Sequence, residues 1–158
     1  MPTVEGLGLD MNKILNPEEI SLFWEIIKAG LEDNLPYMEV EKDIYTSRMF
    51  KSLLGGTLFC AIHVVSEGVV DLMAIITPTF DAISGVKNLL VYTIATYGEV
   101  SRESCLKGLA GLEEFAKKAG CNRICYYTEN EELVHAVKDI GREVVYMITS
   151  AIKNNRTL

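Results

Sequence analysis

The stretch NLLVYTIATYGEVSRESCLKGLAGLEEFAKKAG, residues 88–120, decides the fold. Asn88 to Thr96 is almost wholly apolar or β-branched, which predicts a strand buried on both faces. Ser101 can cap a helix running to about Ala119, with Gly120 as its stop. Cys105, Leu109, Leu112, Ala116 and Ala119 fall along one stripe of that helix. Arg123 to Thr128 then reads as a second strand. A strand, a long helix and a strand make a crossover connection, which is right-handed in nearly all cases and sets the two strands parallel.

Working outward, Asn130 can cap a short helix that carries Leu133, Val137 and Ile140 inward and stops at Gly141. Arg142 to Ile152 reads as a final strand. Upstream, Thr57 to Val65 and Val69 to Thr77 read as two strands joined by a hairpin turn at Ser66-Glu67-Gly68. Before them, Asn16-Pro17-Glu18-Glu19 is a helix start: Asn16 caps, Pro17 fits the first turn and Glu19 reaches back. Ile20, Phe23, Trp24, Ile27 and Leu31 share one face of that helix. A second helix is expected from about Val40 to Leu54, ended by Gly55-Gly56. Met1 to Leu15 reads as irregular, and residues 16–158 as a single domain. The expected class is α/β (α+β): a mixed sheet in the order α-α-β-β-β-α-β-α-β, with helices on both faces.

Composition agrees with one packed domain. The chain has 158 residues, 49% of them apolar and 23% charged. A chain of that length buries roughly 70% of its unfolded surface and needs no metal or disulfide to hold a core. Twenty-two acidic residues against fifteen basic ones give a net charge of −7. That balance argues against nucleic acid and anionic membranes as partners. No run reaches the ~18 apolar residues of a membrane span, and Met1 to Leu9 lacks a secretory pattern. Cys60, Cys105, Cys121 and Cys125 read as small core residues in a reduced, cytoplasmic setting, not as a disulfide framework or a zinc site. Gly108 and Gly111 lie inside the long helix and are expected to allow close packing on the sheet.

From Pro17 to Ile152, and best from Asn88 to Gly141, the chain resembles the GNAT-type acyl-CoA N-acyltransferases. The resemblance implies that backbone N–H groups around the start of the long helix bind the pyrophosphate of acetyl-CoA or another acyl-CoA, as helix N-termini do. It also implies that the two parallel strands splay apart to admit the pantetheine arm. The residues so implicated are Thr93, Ala95 and Tyr97 on the strand and Ser101, Arg102, Glu103, Ser104 and Cys105 at the helix start. Asn130 joins them, eleven positions before Gly141 as in the family. The chain departs from the family at Val100, where Arg or Gln is usual, and at Glu103, where glycine is usual. Val137 stands at the position of a proton-donating tyrosine, and Arg142 where an aromatic is usual. In size and in these altered motifs the chain also resembles divergent members encoded by bacteriophages, which would act in the host cytoplasm.

The residues themselves assign no catalytic group. Asp71 and Glu99 are the carboxylates nearest the expected site, and both read as solvated strand or loop acids. Tyr92, Tyr97, Tyr126, Tyr127 and Tyr146 read as packed aromatics with bonded hydroxyls. His63 and His135 show no carboxylate partner in sequence. Two functions follow: transfer of an acyl group from acyl-CoA to a small-molecule or protein amine, or a binding or assembly protein that keeps the fold without the chemistry. A homodimer paired through the long final strand is compatible with either.

Overall fold

The computed structural model describes residues 1–8, 10–35, 41–128 and 131–141. The first element is a strand, β1 (Met11–Ile14), followed by three helices, α1 (Pro17–Leu22), α2 (Trp24–Asp33) and α3 (Lys42–Leu54). Strands β2 (Phe59–Ser66), β3 (Val69–Phe80) and β4 (Lys87–Thr96) come next, then α4 (Arg102–Lys118), β5 (Arg123–Tyr126) and α5 (Glu131–Asp139). The final strand expected from Arg142 and the helix cap at Asn130 lie outside the described residues.

Two expectations need correction. Residues 11–14 are not irregular: they pair antiparallel with β2, Asn12 opposite His63 and Ile14 opposite Ala61. Four residues are too short for a strand period to show, and the glycines before them hide it further. The first helix is not continuous either. It breaks at Phe23 (φ −101, ψ 14), and Trp24 beyond the break packs its ring on Phe50 of α3 at 4.6 Å. The start of α1 is as expected, with Asn16 Oδ1 accepting from the Glu19 N–H at 2.8 Å and Glu19 Oε1 accepting from the Asn16 N–H at 3.1 Å.

The sheet runs β1-β2-β3-β4-β5. β1 to β4 form an antiparallel meander, and β4 and β5 are parallel, as the crossover requires. The turn between β2 and β3 depends on Gly68. Its φ is +68, and a Cβ there would sit 2.4 Å from the Val4 carbonyl oxygen. Helices cover both faces. Ile20, Ile27, Leu31, Met49 and Leu53 of α1–α3 pack with Cys60, Met73 and Ala95 on one face. Leu112 and Ala116 of α4 pack with Ile76, Leu89 and Val91 on the other. β4 is buried at Leu89, Val91, Thr93 and Ala95 and half-buried between them.

Glycine sets the helix–sheet distance on each face. A Cβ on Gly111 would meet Asn12 Cγ of β1 at 2.4 Å, and one on Gly108 would meet Leu72 at 3.0 Å. On the other face a Cβ on Gly30 would lie 2.6 Å from the Tyr97 hydroxyl and 3.1 Å from Ala95. No helix among the described residues is long and apolar enough to cross a membrane.

Candidate functional site

β4 and β5 share only part of their length. The parallel register runs from Asn88 opposite Arg123 to Val91 opposite Tyr126, and the Tyr127 N–H then donates to the Val91 carbonyl at 3.0 Å. Among the described residues β4 continues through Thr96 bonded to β3 alone, and its other edge is open from Tyr92 onward. The parting coincides with a bulge. Ile75 faces Thr93 while Ile76 faces Val91, which leaves Tyr92 as the extra residue on β4. A bulge increases local twist and bends its strand, here where pairing with β5 ends.

The bulge decides which amides face the gap. The Tyr97 N–H donates to the Asp71 carbonyl of β3 at 2.9 Å. Backbone groups alternate in direction along a strand, so the amides of Thr93 and Ala95 also turn to β3. The amides of Ile94 and Thr96 turn to the open edge. Of the residues expected to line the site, Thr93, Ala95 and Tyr97 therefore hold the strand in place, and Ile94 and Thr96 present its donors. Only the position of the bulge distinguishes the two sets, and a bulge leaves no mark in a β-branched run.

Beyond β4, Gly98 turns the chain with φ +74 and α4 begins at the carboxyl end of the parallel strands. That end is where open α/β sheets place ligands. Ser101 is the N-cap, its Oγ accepting from the Ser104 N–H at 3.1 Å. The amides of Arg102 and Glu103 have no acceptor within the helix and give the helix start its anion-attracting character. Ser104 is buried and adds no bulk there. Burial, then the charge of Asp71, then that of Glu132, push the half-buried Cys105 thiol up from its ordinary range.

Arg102 and Glu103, the charged residues of the first turn, are each paired. The Arg102 guanidinium is 3.0 Å from the Asp139 carboxylate of α5, and the Glu103 carboxylate is 3.2 Å from Lys107 Nζ, one turn along α4. Lys107 also bonds Asp10. That hydrogen bond holds the Asp10 carboxyl below its usual range, and Asp10 with Glu103 holds the Lys107 ammonium above its own. Asn130 lies outside the described residues. Glu99 is exposed in the loop before α4.

His63 and Asp71 differ most from the sequence reading. Asp71 is no solvated acid: it is 1% exposed, and its Oδ1 is 2.7 Å from Nδ1 of His63, itself 2% exposed. A second carboxylate oxygen, Oδ1 of Asp10, lies 3.4 Å from Nε2 on the other side of the ring. A bulge again hides the pairing, because His63 faces Leu72 and Val64 faces Val70, leaving Asp71 as the extra residue beside the ring. The tyrosine expectation holds for Tyr97, whose hydroxyl donates to the Ile26 carbonyl at 2.8 Å. Tyr45, unremarked in the sequence, is buried, and its hydroxyl has no hydrogen-bond partner among the described residues. The cysteines are free, but only Cys60 is a core residue; Cys105 and Cys121 are half-buried and Cys125 is exposed.

The overall fold is shared with solved proteins. The chain has the fold of the GNAT acetyltransferases. It superposes on a GNAT family acetyltransferase from Staphylococcus aureus with TM-score 0.60 at 14% identity, covering 91% of this chain and 97% of that one. The aminoglycoside N-acetyltransferase AAC(6')-Iy, held with a bisubstrate analogue of CoA, matches with TM-score 0.69 at 15% identity over 91% of this chain and 97% of that one. A transcriptional regulator from Bacillus halodurans matches with TM-score 0.66 at 14% identity, covering 90% of this chain and all of that one (100%). No family model matches the sequence, and no curated protein does. Identities this low speak for the fold, and one fold serves many functions.

Proposed function

We propose that the chain binds an acyl-CoA, acetyl-CoA being the simplest, in the opening between β4 and β5 and transfers its acyl group to an amine. The observation that carries this reading is the open edge of β4 from Tyr92 to Thr96 beside the start of α4. A pantetheine arm carries amides that can pair with an unfilled strand edge, and the donors of Ile94 and Thr96 face it. The pyrophosphate would sit at the α4 start, on the amides of Arg102 and Glu103. The Glu103 side chain is drawn toward Lys107, which partly neutralises it, so its carboxylate need not oppose the phosphate. A strand N–H aimed at the thioester carbonyl would stabilise the oxyanion that forms as the amine attacks. The acceptor would be an amine on a small molecule or a protein, and an acidic chain suits a cationic one.

A second reading has its own observation. Val137, in α5, cannot protonate a departing thiolate, and Asp71 is bound to His63 rather than free to act as base. A protein that binds acyl-CoA without turning it over fits those residues. Binding comes first in both readings. Acetyl-CoA at 100 times its dissociation constant should stabilise the fold by roughly 2.7 kcal/mol, which for a domain of this size raises Tm by about 5–10 °C. Thermal denaturation with and without millimolar acetyl-CoA checks this, and an unmoved Tm rejects the proposal. Release of free thiol with a panel of amines then separates catalyst from binder.

A further inference from the structure

The His63 ring is buried with a carboxylate on each side. Nδ1 is 2.7 Å from Asp71 Oδ1. Nε2 is 3.4 Å from Asp10 Oδ1 and makes no hydrogen bond among the described residues. A buried nitrogen of that kind calls for an explanation. The two carboxylates belong to different parts of the fold. Asp71 is fixed in β3, whereas Asp10 precedes β1 and has φ +46, a left-handed conformation that a residue with a side chain keeps when contacts hold it there. Its second oxygen bonds Lys107 of α4 at 2.5 Å. The segment before β1 is bonded to the turn between β2 and β3. The Val4 N–H donates to the Gly68 carbonyl, the Gly68 N–H to the Leu7 carbonyl and the Val70 N–H to the Pro2 carbonyl. A Cβ on Gly98, in the turn between β4 and α4, would meet Met1 Cγ at 3.2 Å, so the same segment reaches the mouth of the opening.

We propose that His63 is a pH-sensitive latch: with both ring nitrogens protonated it clasps Asp10 and holds the segment before β1 on the sheet, and with one proton it lets that segment go. The latch does not depend on the acyl-CoA reading. A carboxylate oxygen only accepts, so each ring nitrogen must carry a hydrogen for both bonds to exist. A neutral ring has one hydrogen. Asp71 holds it at 2.7 Å, and Nε2 then turns a lone pair toward Asp10 Oδ1. Imidazole is the side chain whose charge changes between about pH 5 and 8. The hydrogen bond from Lys107 holds the Asp10 carboxyl below its usual range, so Asp10 stays ionised there. Around the clasp, α4 contributes Lys107, held above its own range by Asp10 and Glu103, then Glu103 itself, 3.2 Å from Lys107. It also contributes the Cys105 thiol, which burial and then the charge of Asp71 push up. The clasped state holds up to one proton more than the released one, so release is favoured as pH rises.

Amide hydrogen exchange of the full chain, followed by NMR from about pH 5 to about pH 8 and corrected for intrinsic rates, tests this. The His63 ring nitrogens are followed in the same samples. Protection of the Val4 and Val70 amides should fall as the ring loses its proton, by up to about tenfold per pH unit, the slope for one proton. The Ile75 amide, in the core of β3, should stay more protected throughout. Asp10→Asn should flatten the profile, because a carboxamide can turn its oxygen to a protonated Nε2 or its NH2 to a bare one. Protection of Val4 that ignores the charge of the ring overturns the latch. So does a ring that keeps one protonation state over the whole range, or an unaltered slope in Asp10→Asn. Equal protection of Val4 and Ile75 overturns it too, by showing that the segment leaves only when the whole chain unfolds.

Discussion

Replacing His63 by leucine is expected to lower the unfolding free energy by roughly 3 kcal/mol. Leucine is close to histidine in volume, so packing is not the main cause. The imidazole is the hydrogen-bond partner of the Asp71 carboxyl, at 2.7 Å, and both groups are almost fully buried. Without the ring the carboxyl keeps its place in the core and loses its partner, and a stranded polar or charged group costs more than the bond itself was worth. Asp10 loses its neighbour too, but it is half exposed and keeps Lys107. Urea denaturation should show a lower midpoint with an unchanged slope. Adding Asp71→Leu to His63→Leu should recover part of the loss, because two apolar side chains leave nothing stranded. A single variant as stable as the parent would mean that water reaches Asp71, contrary to its burial.

Gly30→Val should cost a similar amount, about 3 kcal/mol. On an exposed helix the same change would be nearly neutral, since glycine is itself a poor helix former. Here the new Cβ would stand 2.6 Å from the Tyr97 hydroxyl and 3.1 Å from both Ala95 and Met73. To make room, α2 must move off β4 or Tyr97 must give up its 2.8 Å bond to the Ile26 carbonyl. Either change disturbs the exit of β4, one residue past the open edge. The variant should therefore melt lower and also bind acetyl-CoA more weakly. Equal stability to the parent would show that the contact between α2 and β4 is loose.

The residues 88–120 made the parallel crossover legible because each of its parts has a strong local signal: an apolar β-branched run, a serine cap, a small-residue stripe and a stopping glycine. Gly108 and Gly111 were readable for the same reason, as helical glycines have few other uses than close approach. What stayed hidden depends on register. The bulge at Tyr92 selects Ile94 and Thr96 over Thr93 and Ala95, and the one at Asp71 turns a strand acid inward onto His63. Neither bulge alters composition or period enough to be seen. β1 was missed because four residues carry no pattern of their own and gain one only from pairing with β2. The helix start at Ser101 was found through its cap, but the directions taken by Arg102 and Glu103 depend on Asp139 and Lys107 and follow from packing alone.

The most direct test follows the backbone amides of isotopically labelled protein by NMR as acetyl-CoA is added. The account predicts that the largest shifts fall on Ile94 and Thr96 and on Arg102 to Ser104, the two stretches of donors that meet at the gap. Shifts confined elsewhere, for example to the groove lined by Trp24, Lys28 and Phe50 between α2 and α3, or no shifts at millimolar acetyl-CoA, would contradict it.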